Sequence, residues 1–133
     1  TEQWIDQVIA SAAKTGAAIL ACPVVATVKK VKDGIIIETV DRLGLYEAQT
    51  PQVFDVNLLK KAYGNLKNLD KNTISDDAQL VEAIGHKVSI IETDSSNIKI
   101  TRQSDIAIAE TILKTRPRPK PKGPAGPYIE AQW

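Results

Sequence analysis

Residues 41 to 55, DRLGLYEAQTPQVFD, combine side chains that are suited to binding an oxyanion. The guanidinium of Arg42 is planar and can donate two parallel hydrogen bonds to one phosphate. Thr50 offers a hydroxyl beside Pro51, whose φ is fixed, and Gln52 offers an amide. The simpler interpretation is a loop in which Arg42 is solvated and Pro51 only opens the following helix. Spacing alone favours that simpler interpretation.

Two further candidate groups lie elsewhere in the chain. Thr27 stands in the β-branched stretch VVATVKKVK, and Lys99 stands in NIKIT, at the lip of a short extended segment. Each has an ordinary structural explanation, because threonine favours strands and a lysine at a strand end is usually solvated. Taken singly, neither residue identifies a site.

Other kinds of chemistry find little support in the sequence. His86 is the single histidine, and it follows a predicted helix end, where we expect a surface residue. We find no Ser-His-Asp arrangement, no glycine-rich phosphate loop and no metal site built from His and Cys. We therefore expect no metal-ligating residue in this chain.

Composition indicates one globular domain in a reducing, cytoplasmic setting. The chain has 133 residues, 43% of them hydrophobic and 25% charged, with a formal net charge of +1. That balance gives no general attraction to nucleic acid or membrane, and the apolar runs are shorter than the roughly 18 residues of a membrane span. Cys22 is the single cysteine, so an internal disulfide is impossible.

Hydrophobic periodicity and capping signals predict four helices. The first runs from a Thr-Glu start to a C-cap at Gly16, and the second begins at Asp55. Residues 75 to 85 form the third, with acidic residues in the first turn, and SDIAIAETILK forms the last.

Strands are predicted between these helices, and this alternation makes the fold class α/β. The continuous apolar run at 17 to 22 is typical of a strand buried on both faces of a mostly parallel sheet, and residues 87 to 93 form a second strand. Residues 24 to 41 form a hairpin around Asp33 and Gly34. Polar residues interrupt the hairpin, so we expect it to project as an arm, with dimerisation as the simplest outcome.

The two ends of the chain differ from the body. Residues 115 to 133 hold four basic residues, five prolines and Glu130, and we expect an extended polyproline-like tail outside the fold. Residues 1 to 114 form the domain. The chain opens inside a helical pattern and contains no methionine, so we expect further residues before Thr1.

Four segments in order give the chain a resemblance to a known family. They are ACPVVATVK, ETVDRLGLYEAQTPQVF, SDDAQLVEAIGHKVSII and NIKITRQSDIAIAE, which together span about residues 4 to 113. They resemble the second half of 2-C-methyl-D-erythritol 4-phosphate cytidylyltransferase of the non-mevalonate isoprenoid pathway. The first half, with its nucleotide loop and basic catalytic residues, has no counterpart in this sequence.

The resemblance implies a Rossmann-like nucleotidyltransferase sheet, here partial, with a projecting β-hairpin arm that forms a homodimer. It implies CTP and 2-C-methyl-D-erythritol 4-phosphate as substrates, and Mg²⁺ as a cofactor whose ligand lies in the absent half. By resemblance, Thr27 and Arg42 hold the substrate phosphate in the partner subunit's site, and Thr50 holds it within its own subunit. Lys99 resembles the catalytic lysine beside the α-phosphate of CTP.

Two departures and two alternatives accompany the resemblance. Ala26 stands where the family usually has Asp, which leaves the local geometry of the arm open, and Ser75 stands where it usually has Thr. A cytidylyltransferase for a polyol phosphate such as ribitol 5-phosphate would share the fold and the TPQ element. A non-catalytic dimerisation or binding fragment is the alternative from another class, and the isolated chain is expected to be inactive.

Overall fold

The computed structural model describes residues 1–70 and 72–116, so most of the predicted tail lies outside the described residues. The chain divides into two compact units, Thr1–Lys99 and Ile100–Trp133. The first unit holds a three-stranded sheet, a separate two-stranded sheet and three α-helices, which confirms the predicted α/β class. No helix among the described residues is long and apolar enough to cross a membrane.

The central strand of the larger sheet is β1 (Ala17–Pro23), as its apolar run predicts. Residues 17 to 22 are all at most 7% exposed. Ala18 and Leu20 pack in one hydrophobic cluster, whereas Ala17 packs in a second cluster. Because alternate side chains point to opposite faces, β1 is buried on both of them.

Helices cover both faces of β1. Helix α1 (Glu2–Thr15) places Val8 and Ala12 against Ala18 and Leu20, and it ends at Gly16 in the left-handed conformation. On the other face pack α2 (Val56–Gly64) and α3 (Asp77–Ala83), through Ala62, Leu80 and Val81. A short 3₁₀ helix at Leu66–Asn68 follows α2.

The strand β4 (Tyr46–Phe54) corrects the sequence prediction, which treats this stretch as the approach to a helix. It pairs with β1 in antiparallel fashion, and β5 (Ser89–Glu92) pairs with β1 in parallel. The strand order is therefore β4-β1-β5, and this part of the sheet is mixed rather than mostly parallel. A proline inside a polar run disguises the strand, because proline is uncommon within paired strands.

The predicted hairpin is present and forms its own sheet, with β2 (Val28–Lys32) antiparallel to β3 (Ile35–Val40). Asp33 has φ 51° and Gly34 has φ 79°, the two positive values of a type I′ turn. Four of its apolar side chains, Val31 and the three isoleucines at 35 to 37, are between 55% and 69% exposed. An apolar hairpin outside the main sheet fits the expected arm.

His86 is half-buried rather than a solvated surface residue. Its Nε2 lies 2.9 Å from the carbonyl oxygen of Thr15. A Cβ added to Gly16 would lie 3.2 Å from the same nitrogen, so the imidazole fits because residue 16 is glycine. The histidine thus links the end of α1 to the segment before β5.

Within the second unit, the described structure is helix α4 (Gln103–Thr115), close to its predicted position. Its start is fixed by Asp105, whose Oδ2 accepts hydrogen bonds from the backbone N–H groups of Thr101 and Arg102, each at 2.9 Å. The hydrogen bond from Thr101, followed by that from Arg102, lowers the pKa of Asp105. The NIKIT segment before it contains no strand.

We predict that the start of α4 is sensitive to acid through Asp105. Because the folded pKa is lowered, the stabilising contribution is complete above the unfolded value of about 4 and is lost as the pH falls through the folded pKa. Amide chemical shifts of Thr101 and Arg102 should follow one shared titration below about pH 4. The Asp105→Asn variant should abolish it, and a titration that persists in this variant would contradict the assignment.

Candidate functional site

An open groove of about 530 Å³ lies between β4, the start of α3 and the segment that follows β5. Two of the four candidate residues, Thr50 and Lys99, line it together although 49 positions separate them in sequence. Both side chains are exposed. Within the described residues the Thr50 hydroxyl makes no hydrogen bond and Lys99 makes no ion pair, so both face solvent in the groove.

Thr50 lies at an irregularity in the pairing of β4 with β1. Ile19 pairs with Gln52, but the next residue of β1, Leu20, pairs with Gln49. Thr50 and Pro51, joined by a cis peptide bond, are therefore two extra residues on β4. An irregularity of this kind redirects side chains away from the sheet. Here it places Thr50 in the groove.

A contact from β4 holds the part of the groove lining that lies at the start of α3. Gln52 Nε2 donates to Asp76 Oδ2 at 2.8 Å, while Asp76 Oδ1 accepts from the backbone N–H of Gln79 and caps α3. Ser75 precedes this cap and also lines the groove, with its hydroxyl 3.2 Å from Gln79 Oε1. Ser75 and Ser95 thus add two further hydroxyl groups to the groove.

The segment that carries Lys99 is attached to β4 by side-chain amides. Gln49 Oε1 accepts from Thr93 Oγ1 at 2.5 Å and from Asn97 Nδ2 at 2.9 Å. Asn97 Nδ2 also donates to the carbonyl oxygen of Thr50 at 3.0 Å. Gln49 and Asn97 were missed by sequence reasoning, because partners 48 positions apart leave no local pattern.

Thr27 and Arg42 are not among the residues that line this groove; they lie at the base of the hairpin. An Arg42 Nη1 hydrogen bond to the Val25 carbonyl ties the two ends of the hairpin together. Thr27 directly precedes β2, and the pair Val28–Val40 closes the hairpin between them. Both side chains are exposed, and the guanidinium keeps further N–H groups for another acceptor.

Carboxylates dominate the charge near the strand ends. The groove is lined by Glu47 and Asp76 against the single cation Lys99.

Burial raises the pKa of the Cys22 thiol, and the charges of Glu47, Asp94 and Glu92 raise it further. Cys22 is therefore held in its uncharged, unreactive form.

Comparison with known proteins identifies the family of this chain. The family model for 2-C-methyl-D-erythritol 4-phosphate cytidylyltransferase matches residues 1–115. The chain belongs to this family. A family member from Bacillus licheniformis is 44% identical over 117 residues, and one from Bacillus thuringiensis is 45% identical over 113 residues. These matches confirm the resemblance that the four sequence segments suggested.

Solved structures of the family agree with the fold. The Thermus thermophilus 2-C-methyl-D-erythritol 4-phosphate cytidylyltransferase superposes with a TM-score of 0.73 at 33% identity, covering 86% of this chain and 56% of that one. The Francisella tularensis enzyme gives a TM-score of 0.76 at 29% identity, with 85% and 54% covered. The predicted partial nucleotidyltransferase sheet is thereby confirmed.

The match extends over only part of each relative. The aligned regions cover 87% and 85% of this chain but 50% of the Bacillus licheniformis and Bacillus thuringiensis proteins. The chain therefore spans about half the length of the curated relatives it matches.

Proposed function

We propose that this chain forms the sugar-phosphate side of a cytidylyltransferase that transfers CMP from CTP to 2-C-methyl-D-erythritol 4-phosphate. A phosphate oxygen of the sugar phosphate attacks the α-phosphorus of CTP, a new P–O bond forms, and the bond to the leaving pyrophosphate breaks. The observation that carries the proposal is the shared groove of Thr50 and Lys99. Family membership over residues 1–115 supports it.

The residues of the groove suit phosphoryl transfer by positioning and charge stabilisation. In this proposal the Thr50 hydroxyl donates to the sugar phosphate and fixes the direction of attack. Lys99 acts as the catalytic cation, because its ammonium opposes the charge that spreads over the α-phosphate oxygens in the transition state. Neither role needs an acid–base pair.

The charge of the groove indicates that further cations come from outside it. Two carboxylates and one lysine give the lining a net charge of −1, which does not favour two anionic substrates. We propose that Arg42 and Thr27 of a second copy supply donors to the sugar phosphate, in a homodimer formed through the hairpin. Their exposure and their place at the hairpin base support this assignment.

We include Mg²⁺ in the proposal as the cofactor, because it would neutralise charge on the triphosphate of CTP when bound. Among residues 1–70 and 72–116, no group of three or more His, Cys, Asp or Glu side chains could hold a metal ion. We therefore assign no metal ligand to the described residues. As in the sequence prediction, the ligand is expected in the half that this chain does not contain. A cytoplasmic location remains an expectation.

The activity can be tested in a chain that joins the N-terminal half of the Bacillus licheniformis relative to Thr1. We expect pyrophosphate release from CTP with 2-C-methyl-D-erythritol 4-phosphate, at a kcat/KM at least about 100-fold above that with ribitol 5-phosphate. A substrate that does not match the site leaves polar groups of the site without a hydrogen-bond partner in the transition state, which is costly. The control is the 133-residue chain alone, which should be inactive. A folded joined chain that prefers ribitol 5-phosphate, or transfers to neither, would contradict the proposal.

The proposed roles predict different kinetic defects in the joined chain. Lys99→Ala should lower kcat by at least about tenfold with small changes in KM, because its charge acts mainly in the transition state. Arg42→Ala should mainly raise KM for the sugar phosphate, by about 10- to 100-fold, as expected for a lost charge-assisted hydrogen bond. An Arg42→Ala variant whose sugar-phosphate KM is unchanged would remove Arg42 from the site.

The hairpin assignment predicts a change of oligomeric state. Replacing residues 28 to 37 by a short glycine-containing turn removes the exposed apolar side chains of the arm, so the protein should sediment as a monomer. Lys30→Ala is a control, since it breaks only the exposed ion pair with Glu38 at 3.8 Å. If the loop-replaced protein still sediments as a dimer, another surface forms the interface.

A further inference from the structure

The segment that carries Lys99 has no regular secondary structure of its own. Strand β5 ends at Glu92, and residues 93 to 99 contain only turns and irregular backbone. A cation that stabilises a transition state must be held within a fraction of an ångström. The contacts that fix this segment therefore determine where Lys99 is placed.

Gln49 and Asn97 provide the contacts between this segment and β4. The two hydrogen bonds from Asn97 Nδ2 reach the Gln49 side chain at 2.9 Å and the Thr50 carbonyl at 3.0 Å. Gln49 Nε2 lies 3.4 Å from the Asp94 carbonyl, a longer contact. Asn97, two residues before Lys99, is thereby attached to the backbone of Thr50.

Thr93 fixes the orientation of the Gln49 amide. Its side chain is 8% exposed, and its Oγ1 lies 2.5 Å from Gln49 Oε1 and 3.1 Å from the Ala21 carbonyl. The hydroxyl has one proton, and the Ala21 carbonyl already accepts from the Thr93 backbone N–H at 2.9 Å. The shorter contact therefore takes the hydroxyl proton, so an oxygen of Gln49 faces Thr93 and Asn97.

We propose that Gln49 and Asn97, which also line the groove, are positioning residues that set the place of Lys99 relative to Thr50. This inference rests on the proposed function for its catalytic consequence. We call the attachment of residues 93 to 99 to β4 the fastening. It depends only on the hydrogen bonds among Gln49, Thr93, Asn97 and Thr50. Sequence reasoning assigns no role to either positioning residue.

The chain offers substitutions that separate this role from general stability. Asn97→Asp preserves the size but turns two donors into an acceptor that faces the Thr50 carbonyl, which cannot reorient. Gln49→Met removes the amide, whereas Gln49→Glu keeps oxygen acceptors for Thr93 and Asn97. The matched control is Asn68→Asp, where an exposed amide donates to Asn65 Oδ1 at 2.6 Å, outside the groove lining.

The fastening is tested first in the 133-residue chain by amide hydrogen exchange. Asn97→Asp and Gln49→Met should each raise exchange at Ser96 and Asn97 by about tenfold, the factor expected for a lost hydrogen bond. Asn68→Asp and Gln49→Glu should leave these rates within about twofold of the parent. Unchanged exchange in both Asn97→Asp and Gln49→Met would overturn the fastening.

The catalytic consequence is tested in the chain joined to the N-terminal half of the Bacillus licheniformis relative. Asn97→Asp should lower kcat by about tenfold or more, because misplacing Lys99 weakens mainly the transition state. The added carboxylate makes the groove lining more negative and should raise both KM values, an effect that Gln49→Glu shares and therefore controls for. In a Lys99→Ala background the same change should cost less than about twofold, because Asn97 acts through Lys99. Gln49→Glu should retain most of the parent kcat.

The outcomes distinguish the two proposals. If Asn97→Asp lowers kcat equally in the parent and in the Lys99→Ala background, the positioning role is overturned and the proposed function is left intact. The same conclusion follows if the Asn97→Asp variant has the kcat of the parent. A folded joined parent without cytidylyl transfer would overturn the proposed function and the catalytic part of this inference. The exchange measurement would still decide whether Gln49 and Asn97 fasten the segment.

Discussion

Burial of β1 on both faces is the constraint on which the rest of residues 1–99 depends. Small and aliphatic side chains let α1 approach one face while α2 and α3 cover the other. The backbone of β1 is paired on both edges, by β4 and by β5, so its polar groups are satisfied without water. A strand fixed on four sides cannot shift, and its neighbours must adapt to it.

The irregular pairing of β4 is such an adaptation, and the groove follows from it. Because β1 is fixed, the two extra residues Thr50 and Pro51 leave the regular ladder. The glutamines on either side of them then reach in different directions. Gln52 contacts the cap of α3, whereas Gln49 contacts the segment after β5. Strand β4 thereby holds two other segments of the groove lining, the start of α3 and the segment after β5.

Local signals predicted the elements that local interactions stabilise. The caps at Thr1, Gly16 and Asp55 and the Asp33-Gly34 turn are each recorded within a few residues, and the structure has all of them. The strand β4 was not predicted, because its pairing partner is far away in sequence and its own residues are polar and interrupted by proline. The strand β4 forms because it pairs with the edge of β1 that β5 leaves unpaired.

The candidate site was predictable only in part for the same reason. Spacing could not bring Thr50 and Lys99 together; their side-chain types made them candidates, and the family resemblance supplied the roles expected of them. Gln49 and Asn97 carry no sequence signal, because an amide that bridges distant segments resembles any other polar surface residue. The site residues that join segments distant in sequence are therefore those that single-sequence reasoning identifies least well.

The charge balance of the groove bears on the two groups into which the candidate residues fall. A groove lined by Glu47, Asp76 and Lys99 repels a dianion unless positive charge arrives from another element. Thr27 and Arg42 are exposed at the base of the hairpin, whose sheet is separate from the one that forms the groove. In the proposed dimer, the arm of one copy brings Arg42 to the groove of the other. Assembly would then create a phosphate site that is electrostatically incomplete in each chain alone, which couples dimer formation to substrate binding.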